Sequence, residues 1–271
     1  MKNFVVIGSP IKHSLSPYLH NYVYNSASIN AKYAKKEVSI NELSNVIELI
    51  RSENLDGINI TIPYKEVILK YLDEVSPQAN LIGSVNVVYM KNNLLFGNNT
   101  DWYGFKETII KNNISINDKE IIVLGAGGTS KAILFALKIL GAKRINLFNR
   151  TFTKAKNMQD EIITAYEYTD SEQIIKSNSI IINTTSVGML KNDIPINSSL
   201  ISKNQILIDV IYSPLLTPFL KAGIEKGAQI INGLDMFIFQ ALESIDLWFG
   251  ETYSNKVNFK QIKTNLERKL C

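Results

Sequence analysis

The sequence predicts an α/β chain of two domains, each built on a largely parallel sheet, and three observations carry that expectation. Short apolar runs rich in β-branched residues alternate along the chain with stretches whose apolar residues recur at helical spacing. One of these runs, Ile121 to Leu124, feeds straight into Gly125-Ala126-Gly127-Gly128. The 271 residues, 45% hydrophobic and 20% charged, are enough for two domains with separate cores.

Phe4 to Gly8 reads as the first strand, followed by the hydroxyl-rich loop Ser9-Pro10-Ile11-Lys12-His13-Ser14-Leu15-Ser16-Pro17. Pro17 suits the first turn of a helix running to about Ala27, with Ser16 as its cap, because proline there forfeits no hydrogen bond. Ser14 and Ser16 have two readings: they cap and turn the chain, or their hydroxyls bind a polar ligand. Tyr33 to Val38 alternates like a strand. Glu42 to Arg51 carries Leu43, Val46, Ile47 and Ile50 at helical spacing, and Asp56-Gly57 returns the chain to a third strand, Ile58 to Ile62. This β-α-β-α-β order implies a parallel sheet, whose ligands bind beyond the carboxyl ends of the strands. Period 2 puts Asn59 and Thr61 on one face, and Lys65 falls at the favourable edge, either as a snorkelling surface charge or as a working group. Ser84 to Tyr89 pairs with Leu94 to Gly97 through the hairpin loop Lys91-Asn92-Asn93. Gly97-Asn98-Asn99-Thr100-Asp101 then precedes a helix from Trp102 to Asn112 that joins the two domains, and reads either as a helix cap or as a ligand loop.

Ile121 to Leu124 suits a strand covered on both faces. Its glycine turn opens a helix carrying Ala132, Ile133, Ala136, Leu137 and Leu140 and ended by Gly141, so free N–H groups and a positive dipole end face whatever binds there, as a phosphate would require. The match to G-x-G-x-x-G/A is imperfect, because Ser130 holds the last position. The next strand, Arg144 to Phe148, ends at Asn149-Arg150-Thr151, where a fold preferring NAD places an acidic residue on the ribose. With no carboxylate there, Arg150, Thr151 and Lys154 read as a cationic pocket for a 2′-phosphate, or else as ordinary solvated charges. Cations near a helix start are disfavoured by the dipole, which argues for a ligand. The expectation is a Rossmann-like doubly wound domain binding NADP(H). Glu172 to Lys176 reads as a short helix, Ile180 to Ile182 and Ile206 to Val210 as strands, Phe219 to Lys226 as a helix and Gln229 to Ile231 as the last strand. From Asp235 the chain is helical, with Phe237, Ala241, Ile245 and Trp248 on one stripe enclosing Gln240, and a final amphipathic helix follows.

Composition excludes several function classes. The net charge of +4 comes from dispersed Lys and Arg, without the basic run or aromatic-interleaved stripe of a nucleic-acid or membrane surface. No apolar run reaches the ~20 residues of a membrane helix, and no signal-peptide pattern is present, so the expected location is cytoplasmic. Cys271 is the lone cysteine and His13 and His20 the only histidines, so neither a disulfide nor a zinc cluster is expected, and the metal expectation is none.

Taken together, these segments resemble the shikimate dehydrogenase family over almost the whole chain. The motifs are Gly8 to Pro17 with His20-Asn21, Asn59 to Lys65, Gly83-Ser84-Val85-Asn86, Gly97 to Asp101, Gly125 to Gly128, Asn149-Arg150-Thr151, Asn183-Thr184-Thr185 with Gly188-Met189, Asp209 to Pro214 with Thr217-Pro218, and Gly233 to Met236 with Gln240-Ala241, in the family's order. The resemblance implies that Ser14, Ser16, Thr61, Lys65, Asn86, Asp101, Tyr212 and Gln240 hold shikimate or 3-dehydroshikimate, with Lys65 and Asp101 as the catalytic pair. It also implies NADP(H) held by Gly125, Ala126, Gly127, Gly128, Thr129, Asn149, Arg150, Thr151, Lys154, Thr184 and Gly233. The substrate domain would be residues 1–101 completed by 235–271, the cofactor domain residues 102–234, with a cleft between them, in a monomer or homodimer. The chain departs from the family at Thr129, where a small residue is common, and at Val87, where threonine is common.

Oxidising a secondary alcohol with a nicotinamide requires a group that takes the hydroxyl proton. None of the twelve tyrosines is followed four residues later by lysine, so the Tyr-x-x-x-Lys dyad is absent and Lys65 is the best proton-transfer candidate. Two rivals stand beside this expectation: a quinate-preferring relative with relaxed cofactor use, and a ligand sensor without turnover.

Overall fold

The computed structural model describes residues 1–168, 171–177 and 179–270; Cys271 lies outside them. The chain divides into two compact units, Met1–Gly104 with Ile238–Leu266, and Phe105–Phe237 with Glu267–Cys271.

The first unit holds a six-stranded sheet in the order β2-β1-β3-β5-β6-β4. Its strands are β1 (Lys2–Gly8), β2 (Ala31–Glu37), β3 (Gly57–Ile60), β4 (Glu74–Val75), β5 (Val87–Lys91) and β6 (Leu94–Asn98). β1 pairs in parallel with β2 and β3, whereas β5 runs antiparallel to both β3 and β6. The reversal comes from the Asn92-Asn93 turn, where both residues take positive φ (50° and 63°) as a two-residue hairpin requires. Helix α2 (Leu43–Arg51) buries Leu43, Val46, Ile47 and Ile50 against Ile7, Ile58 and Ile60 on one face of the sheet. The other face is aromatic: Phe4 stacks on Trp248 at 4.3 Å and His20 on Tyr33 at 3.9 Å, joining α1 (Ser16–Ser26) and α9 (Leu234–Phe249) to the sheet.

Several boundaries differ from expectation for local reasons. Ser16 is the first residue of α1 rather than its cap; Leu15 is the cap, without a side-chain bond. The third strand stops at Ile60, so Thr61 is outside the ladder; its N–H goes to Ile7 O (2.9 Å) and its carbonyl accepts from Tyr64 N (3.0 Å), a turn that ends the pleat. The helix expected from Glu42 begins with a 3₁₀ turn, Ile40–Glu42, under a Ser39–Glu42 capping box, and becomes α-helical at Leu43. Helix α4 starts at Asp101 and spans Asp101–Lys111. Short β4 and helix α3 (Pro77–Ile82), capped by Ser76 and ended by left-handed Gly83, had no periodic apolar signal to reveal them.

The second unit holds β7 (Glu120–Leu124), β8 (Arg144–Phe148), β9 (Ile163–Tyr166), β10 (Ile180–Asn183), β11 (Ile206–Asp209) and β12 (Gln229–Ile231). The order β12-β11-β10-β7-β8-β9 is parallel at every pairing and doubly wound from β7. Helix α5 (Gly128–Ile139) buries Ala132, Ile133, Ala136 and Leu137. Ile175 of α7 (Ser171–Ser177) and Phe219 and Leu220 of α8 (Pro218–Glu225) pack with Ile122, Leu124, Ile181 and Leu207. The chain closes with α10 (Phe259–Leu270). No described helix is long and apolar enough to cross a membrane.

Candidate active site

In the first unit the chain changes direction across the sheet between β1 and β3, and the loops after those two strands meet there. Ser9 N donates to Ile62 O (3.0 Å), and a Cβ on Gly8 would sit 2.5 Å from Thr61 Cγ2, so the two loops are in contact. Because β5 is antiparallel to β3, the residue entering it, Asn86, lies beside the end of β3: Ile60 N donates to Asn86 O at 2.9 Å. Because β6 returns alongside β5, the residues leaving β6 reach the same edge. Lys65, Asn86 and Asp101, distant in sequence, are thereby brought together.

Lys65 Nζ donates to Asp101 Oδ2 at 2.5 Å, and Asn86 Nδ2 donates to Asp101 Oδ1 at 2.9 Å. All three side chains are buried, with relative exposures of 8%, 5% and 3% for Lys65, Asp101 and Asn86. A desolvated ion pair persists only where further hydrogen bonds satisfy it, and these are supplied. Thr100 N donates to Asn86 Oδ1 (2.7 Å) and Asp101 N to Asn99 Oδ1 (3.0 Å), while Asn99 Nδ2 is anchored on Ser84. Asp101 also opens α4, where the dipole favours its negative charge. Ser14 Oγ donates to Ser16 Oγ (3.2 Å) and accepts from Ser16 N (3.3 Å), so the loop orders its own two hydroxyls, both half-buried. Gln240 is half-buried on α9.

In the second unit, the glycine turn leaves β7 and residues 184–188 leave β10 at the point where the doubly wound sheet reverses. The glycines there have different reasons to be glycine. Gly125 has φ +110°, and an added Cβ would lie 2.6 Å from Thr184 Oγ1, so the fold itself demands it. Gly127 has extended backbone (φ −104°), and a Cβ there would meet nothing within 4 Å. Ser130, the departure from the glycine pattern, is buried and donates to Gly125 O (2.5 Å), tying α5 to the turn. Thr184 Oγ1 donates to Leu124 O (2.7 Å). Gly233 permits a backbone approach, since a Cβ would lie 2.1 Å from Val210 O, and its N–H is taken by Ile211 O at 3.0 Å.

At the end of β8, Asn149 Nδ2 donates to Thr151 O (2.9 Å), while Arg150, Thr151 and Lys154 are exposed. Thr151 begins α6 (Phe152–Lys156) without spending its hydroxyl on a cap. Contrary to expectation, Lys154 is not at an unfavourable helix start: α6 is so short that Lys154 lies in its last turn, where the dipole favours a cation. Tyr212 stacks on Phe237 at 4.1 Å. Behind these loops, buried Asp209 accepts from Asn183 Nδ2, Ile211 N and Thr217 Oγ1 (3.1, 3.0 and 2.7 Å); burial outweighs these bonds and pushes its carboxyl up to about 6.

Residues 6–88 match the family described as shikimate dehydrogenase substrate binding domain, and residues 107–210 that described as shikimate / quinate 5-dehydrogenase. The NADP(+) shikimate dehydrogenase of Pelagibacter ubique is 42% identical over 253 residues, covering 91% of this chain and 93% of its own. The chain belongs to the shikimate dehydrogenase family. Among solved family structures, the Aquifex aeolicus shikimate dehydrogenase superposes with a TM-score of 0.87 at 37% identity, covering 94% of this chain and 96% of its own. The Thermus thermophilus enzyme, solved in complex with NADP(H) and shikimate, superposes with a TM-score of 0.88 at 30% identity and covers all of both chains.

Within this family frame, the open space at Gly127 is an observation that fits a dinucleotide: Gly127 is the N-cap of α5, where glycine is tolerated, but no neighbouring atom would meet a Cβ there, whereas a closely approaching pyrophosphate would. Sequence reasoning passed over Ser244, which accepts from Asn59 Nδ2 (3.1 Å) and meets Thr100 Oγ1 (3.1 Å). Its signal was a serine four residues after Gln240 on an otherwise apolar helix face. Among the described residues no cluster of His, Cys, Asp or Glu is placed to hold a metal.

Proposed function

We propose that this chain is an NADP-dependent shikimate dehydrogenase, reversibly reducing 3-dehydroshikimate to shikimate in aromatic biosynthesis, with Lys65 and Asp101 as its catalytic pair. The observation that carries the reading is the buried Lys65–Asp101 contact with Asn86 on the second carboxylate oxygen.

NADPH, when bound, supplies the hydride. In the direction of reduction the Lys65 ammonium gives a proton to the carbonyl oxygen becoming the hydroxyl, and in the reverse direction the amine takes it back. Asp101 aims Nζ through one oxygen while Asn86 holds the other, so the carboxylate cannot rotate away. Ser14, Ser16, Thr61, Tyr212 and Gln240 bind the remaining hydroxyls and the carboxylate of the substrate. Gly125 to Thr129, Thr184 and Gly233 hold the dinucleotide, and Asn149, Arg150, Thr151 and Lys154 its 2′-phosphate. Gly125, Thr184 and Gly233 serve by shaping the turns, as the Gly125–Thr184 contact, the Thr184 bond to Leu124 O and the approach of Gly233 to Val210 O support.

We assign residues 1–101 with 235–271 to substrate and 102–234 to cofactor; the compact units Met1–Gly104 with Ile238–Leu266 and Phe105–Phe237 with Glu267–Cys271 support this division except at residues 102–104, 235–237 and 267–271, which group with the other unit. A cytoplasmic location and a monomer or homodimer accord with an NADPH-using biosynthetic enzyme.

A spectrophotometric assay of NADPH with 3-dehydroshikimate tests the reading, run beside NADP or NAD with shikimate and quinate. Turnover is expected, with Lys65→Ala lowering kcat by ~10²–10⁴ and changing KM less. A preference for quinate or NAD would redirect the assignment within the family. No turnover on any pair would mark a ligand sensor, and parental kcat in Lys65→Ala would remove Lys65 from the mechanism.

A further inference from the structure

We infer that Ser244 is a positioning residue for the Lys65–Asp101 pair, an assignment that rests on the proton-transfer role proposed above. Ser244 lies on α9 one turn beyond Gln240 and is fully buried. Its Oγ donates to the Gln240 carbonyl (2.8 Å), accepts from Asn59 Nδ2 (3.1 Å) and lies 3.1 Å from Thr100 Oγ1.

A hydroxyl has one proton to give. Thr100 Oγ1 has two acceptors in reach, Asn86 Oδ1 at 3.3 Å and Ser244 Oγ at 3.1 Å. With the Ser244 proton on the Gln240 carbonyl and Asn86 Oδ1 already taken by Thr100 N at 2.7 Å, the nearer Ser244 Oγ takes the Thr100 proton. Thr100 Oγ1 then turns lone pairs toward Asn86, and Asn86 Nδ2 donates to it at 3.0 Å. Asn86 cannot flip, because its Oδ1 already accepts from Thr100 N (2.7 Å). Its other amide hydrogen goes to Asp101 Oδ1 (2.9 Å), leaving Oδ2 for Lys65 Nζ (2.5 Å). The far end is held as well: Tyr33 Oη donates to Asn59 Oδ1 (2.7 Å), turning the Asn59 amide hydrogens to Ser244 Oγ and Asn86 O, both at 3.1 Å. Two constraints meet at Asn86: the Thr100 N–H sets which way its amide faces, and Ser244, by taking the Thr100 proton, leaves Thr100 Oγ1 to accept from the amide that also holds the carboxylate aiming Lys65.

Packing alone does not call for a serine here. A buried mid-helix hydroxyl bonded only to the carbonyl one turn back is at best neutral for a helix; an alanine beside Ala241 and Ile245 would pack as well but would leave one amide hydrogen of buried Asn59 and the Thr100 hydroxyl without this acceptor. What the hydroxyl adds is a fixed acceptor shared by Asn59 and Thr100.

A double-mutant cycle on kcat tests the assignment. Ser244→Ala is expected to lower kcat about tenfold, the scale of a small misplacement of a reacting group, and in an Asp101→Asn background to change it less than about twofold, because the carboxylate it acts through is gone. Parental kcat in Ser244→Ala, or an equal loss in both backgrounds, overturns the role. Should Ser244→Ala not fold, Thr100→Val breaks the same link and is read by the same cycle. Lys65→Ala separates the two claims. If it keeps parental kcat, the catalytic reading fails and this one with it; if it loses activity while Ser244→Ala does not, only the positioning role fails.

Discussion

A 2′-phosphate offers its oxygens to donors that can lie in one plane, and the guanidinium of Arg150 is the side chain at the end of β8 with that geometry. Neighbouring Thr151 keeps its hydroxyl out of the cap of α6, and Asn149 is turned onto the Thr151 carbonyl, so the segment is internally braced while Arg150 is exposed. Charge-assisted hydrogen bonds contribute roughly 1.5–3 kcal/mol, so Arg150→Ala should raise KM for NADP by about 10–100-fold and leave kcat/KM with NAD nearly unchanged. Steady-state kinetics with both cofactors checks this; equal losses with NAD and NADP would mean that Arg150 does not read the phosphate. At this scale the individual residue types were legible, since missing carboxylates and available cations are visible in a string of letters. Which atoms they bond was not. Ser16 was expected to cap a helix and instead donates its N–H to Ser14 Oγ, because Leu15 already occupies the cap position.

The glycine turn between β7 and α5 shows how an element distributes two demands over neighbouring glycines. Gly125 serves the fold through its positive φ and its contact with Thr184, whereas the space around Gly127 is open. Gly125→Ala should therefore destabilise by about 1–3 kcal/mol or more, through backbone strain and overpacking. Gly127→Ala should change stability by less than about 1 kcal/mol yet raise KM for NADPH about tenfold, because only a closely approaching ligand needs the missing Cβ. Denaturant melts and kinetics on the same two variants separate the demands; a Gly127→Ala enzyme with parental KM would count against a pyrophosphate at this turn. The same division explains which elements were legible. β7, α5 and β8 carry strong apolar periodicity and were placed to within a few residues, but β4, α3 and β9 are short and lean on neighbours, so their own residues announce little.

Across the whole molecule, two buried titrating groups pull stability in opposite directions with pH. His20 in the first unit is wholly buried, neither ring nitrogen has a hydrogen-bond partner, and burial lowers it to about 3 from an ordinary 6.5. A depressed base stabilises above its unfolded value, and that contribution is lost as pH falls from 6.5 toward 3. Asp209 in the second unit, raised from 3.8 to about 6, contributes stability below 3.8 that is lost as pH rises toward 6. His20→Phe should accordingly gain about 2 kcal/mol on the parent between pH 7 and pH 5, as His20 in the unfolded parent chain protonates. Unfolding free energies at the two pH values measure it, and a pH-independent difference would mean that His20 titrates normally in the folded chain.

By itself the sequence determined the kinds and order of the elements, the doubly wound half with its glycine turn, the absence of an acidic ribose partner and the candidacy of Lys65, because periodicity, turn chemistry and residue type are local properties. Tertiary structure alone decided that β5 runs antiparallel beside β3, delivering Asn86 and Asp101 to Lys65, and that Ser244 meets Thr100 across 144 residues of chain. Strand pairing and buried hydrogen bonds join atoms by where the chain folds back. Their donors and acceptors are chosen by the requirement that no buried polar group go unmet, a condition on the whole unit that no stretch of sequence carries alone.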